Sequence, residues 1–80
     1  MQPSIRKHLL WDFDFAAFNF FAGASIVIER VIERGDINDW KAIVNFYGED
    51  AILFYSNKSK QLSKRDKNFT NVIIKSPLIH

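Results

Sequence analysis

Eighty residues with 48% hydrophobic content and eight phenylalanines suffice for one small core, and a chain this short buries only roughly 60–65% of the surface its unfolded form exposes. The absence of cysteine excludes disulfides and thiolate metal sites and makes a reducing cytoplasm the expected compartment; no apolar run nears the ~20 residues of a membrane span, and MQPSIRKHLLWDFD lacks the apolar core of a secretion signal. The formal charge of +2 hides a split, because residues 1–50 carry five basic and eight acidic side chains while residues 51–80 carry six and one, a distribution that suits phosphates or an acidic partner unless it is fortuitous in so small a domain.

In chain order, Ser4 is placed to cap a brief helical turn. Leu9, Leu10, Trp11, Phe13 and Phe15 then form a lid over a helical hairpin, within an N-terminal segment spanning residues 1–18. From Phe20 to Arg34 the residues Phe20, Phe21, Ala24, Val27, Ile28, Val31 and Ile32 share one arc at about 100° per residue. Glu29, Arg30, Glu33 and Arg34 lie opposite, so the segment reads as an amphipathic helix with Asn19 as its N-cap. Gly35 is the expected stop, in a left-handed conformation that glycine enters without a Cβ clash.

Asp36, Asn38 and Asp39 then open a second helix, in which Ile37, Trp40, Ile43, Val44 and Tyr47 share one face and Gly48 is the end. The repeated IER phrase thus sets its isoleucines on the inner arc and its Glu–Arg pairs on the outer face of the first arm of the hairpin. A third helix is expected near residues 49–57, with a strand through ILFY as its competitor. Ser63 and Asp66 have the spacing of a capping box, so a fourth helix starts at Lys64. Phe69, Val72 and Ile73 are expected inside it, while Lys64, Lys67, Asn68, Asn71 and Lys75 share its outer face. Pro77 ends it, leaving residues 75–80 as a loose tail. The fold class is therefore all-α: a single domain over residues 1–80, a compact bundle of about four helices, loosely helix-turn-helix-like in its C-terminal half.

Catalytic signatures are weak, and no enzyme activity, metal or cofactor is expected. His8 and His80 lie at opposite ends without the company a metal site needs. Glu29 and Glu33 have the spacing of paired carboxylates, but Arg30 and Arg34 beside them describe an ordinary solvated face. Asp12 and Asp14 suit turn and cap roles, and the three glycines are too scattered for a phosphate loop. The run of phenylalanines from Phe13 to Phe21 favours core packing over base stacking, because few basic residues interleave it. Ile26 projects from the polar side of its helix and is a candidate partner contact. Lys64, Lys67, Asn68, Asn71 and Lys75 are the candidate nucleic-acid residues, lysines for phosphates and asparagines for adenine edges. A lysine-rich face that merely keeps the domain in solution is the competing account.

WDFD, IVIERVIERGDINDW, NFYG and LSKRDKNF, taken together over residues 11–69, resemble a family of short, uncharacterised bacterial helical domains. Its pattern is a WD dipeptide, an IERVLERG-like segment, a YG and an LS…NF ending. The aromatic richness of Phe15 to Phe21 and the presence of Thr70 after the NF pair depart from it. Such domains are often encoded beside AbiEii-type nucleotidyltransferase toxins. The resemblance implies a cytoplasmic, antitoxin-like or regulatory accessory, and a nucleotidyltransferase toxin as partner. The expected function is therefore a non-catalytic protein-interaction module, with DNA binding through the basic C-terminal helix as the alternative. A homodimer would be another way to cover the surplus apolar surface.

Overall fold

The computed structural model describes residues 3–77. A short 3-10 turn, η1 (Lys7–Leu10), leads into four helices: α1 (Ala24–Arg34), α2 (Ile37–Tyr47), α3 (Glu49–Lys58) and α4 (Lys64–Ile73). There is no strand among the described residues, and the fold is an all-α bundle. ILFY is helical, as expected, and the two hairpin glycines both lie between helices.

The core is one cluster. Val27, Ile28 and Val31 of α1, Ile43 of α2 and Ile52 of α3 are sealed from solvent at its centre. Leu9 and Leu10 close one side, joined by Ile5, and Ile74 closes the other. α1 is the hub, packing against η1, α2, α3 and α4. Its apolar arc is what the periodicity predicts, and its burial is the main reason a β-branched sequence stays helical.

α1 begins four residues later than the periodicity predicts. The Asn19 side-chain oxygen does accept hydrogen bonds from the amides of Phe21 and Ala22, both at 3.0 Å. That closes a separate turn, and the helix starts only after Gly23. Phe20 is buried as predicted, but Phe21 points outward against Phe46, with ring centroids 5.7 Å apart. Ser4 caps nothing at η1: Arg6 holds the cap position, without a side-chain hydrogen bond. The lid is narrower than predicted, because Trp11 is 73% exposed and Phe13 is also at the surface.

The two glycines act by different physics. Gly48, at φ 90° and ψ 158°, occupies a region open essentially only to glycine, and it alone separates α2 from α3. Gly35 is not left-handed as predicted; its φ of −76° suits any residue. Space decides there, since a Cβ would sit 2.8 Å from both the Cγ1 and the carbonyl oxygen of Val31. α2 is then capped on both sides of its first turn, Asp36 accepting from the Asn38 and Asp39 amides and Asp39 accepting from the Asp36 amide.

Candidate interaction face

α4 is set by Ser63, whose Oγ accepts the Asp66 amide at 3.1 Å. Its inward side is only partly the predicted one. Thr70 and Ile74 are sealed from solvent and Ile73 packs half-buried, whereas Phe69 is 49% and Val72 73% exposed. The rotation has a steric reason. Thr70 is small, and its hydroxyl donates to the Asp66 carbonyl at 2.8 Å, so it can face the core with its polar atom satisfied. The bulkier Phe69 is left at the rim, edge-on to buried Trp40 with centroids 6.1 Å apart.

That rotation changes what the outer face carries. Lys64, Asn68, Asn71 and Lys75 are exposed as predicted, with Lys75 in the turn after the helix; Lys67 is half-buried. Lys67 Nζ reaches the Asn57 carbonyl at 3.4 Å, and Asn71 Nδ2 donates to the Lys67 carbonyl at 3.0 Å. Two of the five predicted residues therefore spend polar groups inside the chain. Val72 lies on the outer side with Lys64, Arg65, Asn68 and Lys75 around it. Sequence periodicity misses this apolar centre because it assigns Val72 to the core; only the choice of Thr70 as an inward residue would reveal it.

Charge is not spent evenly. Among the described residues, the ion pairs join Arg6 to Asp36 and Asp39, and Arg30 to Asp12. The cations of α4 have none. Arg6 sits over the α1–α2 corner, Nε donating to the Asp39 carboxylate at 2.9 Å and Nη2 to the Arg34 carbonyl at 3.4 Å. Asp39 is 1% exposed and also accepts the Arg6 amide. Arg30 holds Asp12 through two bonds of 2.8 and 2.9 Å and donates to the Leu9 carbonyl. The Arg30 hydrogen bond holds the Asp12 carboxyl below its ordinary range, and the Asp39 amide does most to lower that of Asp36. Asp14 caps a turn by accepting the Ala16 amide, and Glu29 accepts the Ser59 hydroxyl at 2.7 Å. These long-range pairs leave no periodic signal in the sequence.

Ile26 does not stand alone on a polar surface. It is half-buried against the core and lines a hollow of about 200 Å³ with Phe13, Glu29, Arg30 and Gln61. A more open hollow of about 420 Å³ lies nearby, walled chiefly by Phe13, Ala17, Phe18 and Ala22. The phenylalanine run packs on itself, Phe18 meeting Phe13 and Phe20 edge-on at 5.1 and 4.9 Å, which accords with a core role for most of it.

Comparison with curated proteins returned no match, and neither did comparison with solved structures. The segment from Ile5 to Leu53, which holds η1, α1, α2 and half of α3 but not α4, matches a family of unknown function (DUF6922), and over that majority of its length the chain belongs to that family.

Proposed function

We propose that this chain is a non-catalytic protein-interaction module that docks through the outer face of α4. The observation carrying the reading is the exposed Val72 and Phe69 among cations that have no ion pair among the described residues. A face meant only for solubility has no use for a valine at its centre, and exposed apolar side chains rimmed by charge are characteristic of contact surfaces. The bacterial pattern resemblance supports a cytoplasmic, antitoxin-like or regulatory accessory with a nucleotidyltransferase toxin as its partner. Co-purification of the chain with an AbiEii-type nucleotidyltransferase tests this. A stable complex at micromolar concentration is expected; no complex at that concentration overturns the reading.

A second reading, duplex-DNA binding through Lys64, Lys67, Asn68, Asn71 and Lys75, draws support from exposed Lys64 and Lys75 on one side of a helix that follows α3 after a short connection. The internal bonds of Lys67 and Asn71 weigh against it. It requires retention on duplex DNA that falls with salt and is lost on charge reversal at Lys64. Absence of retention even at low salt eliminates it.

A further inference from the structure

We infer that the α4 face takes an acidic amphipathic helix of a partner protein, whose apolar stripe covers Val72 and Phe69 and whose flanking carboxylates meet Lys64, Arg65 and Lys75. The inference rests on the interaction-module reading and specifies the chemistry of what docks there.

Three features choose this occupant. First, Val72 and Phe69 are three residues apart on one helix and therefore adjacent on its surface, and Phe69 is backed by the edge of Trp40. That is an apolar strip backed by buried Trp40, suited to side chains at i, i+3 and i+4 of a facing helix. Second, Lys64, Arg65 and Lys75 lie at the two ends and along the Val72 flank of the strip and have no ion pairs among the described residues, so a partner's carboxylates would not have to displace any. Lys64 and Lys75 are separated along the helix by roughly 16 Å, about three turns. The partner therefore needs carboxylates near both ends of a three-turn apolar stripe. Third, the same charges argue against a second copy of this chain: docking the face on itself across a two-fold axis would set Lys64, Arg65 and Lys75 against their own images. Nucleic acid would satisfy the lysines but would leave Phe69 without an apolar counterpart.

The test uses the full chain, labelled with ¹⁵N, and three defined probes. One is a helical peptide about 18 residues long with leucines on one face and glutamates flanking them; the second has lysines in place of the glutamates; the third is a short DNA duplex. The glutamate peptide is expected to shift the amide signals of Asn68, Phe69 and Val72, with binding weakened at least ten-fold by Val72→Asp or by Lys64→Glu with Lys75→Glu. Because all three positions are exposed, the fold of the variants is verified by an unchanged melting transition. The lysine peptide should leave those signals unmoved. Equal shifts with both peptides, shifts with the duplex alone, or undiminished binding by the variants overturns the inference. If these variants bind the nucleotidyltransferase as tightly as the parent chain does, the α4 site falls while the broader module reading stands.

Discussion

Asp39 is the side chain on which most depends. It is buried at the first turn of α2 and receives two amides and the Arg6 guanidinium. Asp39→Ala should cost about 2 kcal/mol, the scale for stranding buried donors, tempered here because Arg6 can rehydrate; urea unfolding measures it. Tyr47 makes a second such anchor, its hydroxyl donating to the Phe20 carbonyl at 2.7 Å. Burial, with a smaller push from Tyr55, raises its phenol to about 12 from an ordinary 10. The folded state thus favours the protonated phenol, so that stability is complete below pH 10 and is lost as pH rises through about 12. Tyr47→Phe should flatten this alkaline limb and cost about 1 kcal/mol at neutral pH, both visible in melting curves across that range. The acid limb runs the other way. Asp12 and Asp36 have lowered values, so their contribution is present above the ordinary 3.8 and disappears as pH falls through the folded values. Asp12→Asn should make the loss of stability between about pH 5 and 2 shallower.

At the level of elements, helix periodicity reads α1 and α2 because each buries an apolar stripe, although Ile37 lies exposed at the start of α2; α3 buries only Ile52 and Ser56 and offers no stripe for periodicity to read. It fails on α4, where a threonine rather than an aromatic faces the core and its hydroxyl is satisfied locally. Periodicity sees polarity, and it cannot see that a hydroxyl has been neutralised by the carbonyl four residues back. Phe21 and Trp11 escape it for a related reason: turns around Asn19 and after η1 aim side chains by backbone direction, which no 100° repeat describes. The arginine pairs are equally illegible, since Arg6 and Asp39 are far apart in the chain. Glycine substitution separates the two corners. Gly48→Ala forces a Cβ into a disallowed conformation and should cost about 1–3 kcal/mol. Gly35→Ala keeps an allowed backbone but collides with Val31, a comparable loss of about 1–3 kcal/mol. Paired with Val31→Ala, which removes the clashing Cγ1, Gly35→Ala should cost less than the two changes summed. A double-mutant cycle in urea measures that coupling, and strict additivity would assign the collision to the Val31 carbonyl oxygen, which the substitution leaves 2.8 Å from the new Cβ.

Across the whole molecule, structural charge and outward charge are kept apart. Arg6, Arg30, Asp12, Asp36 and Asp39 tie the N-terminal segment, α1 and α2 to one another, and this part falls within the family match. The cations of α4 take no part in that lacework and lie beyond the matched residues. The division predicts that charge reversal at Lys64 or Lys75 leaves the melting temperature within about 2–4 °C, surface changes being usually within about 0.5 kcal/mol, whereas Arg6→Glu lowers it markedly.

The narrow footing of α4 has a dynamic corollary. Thr70 and Ile74 sealed and Ile73 half-buried give the helix less buried area than α1 with which to resist lifting away from its neighbours, so its amides should exchange with deuterium faster than those of α1. Any ligand gripping the solvent side would slow that lifting, and the Thr70 and Ile74 amides, hidden on the reverse of the contact, would record its arrival without touching it.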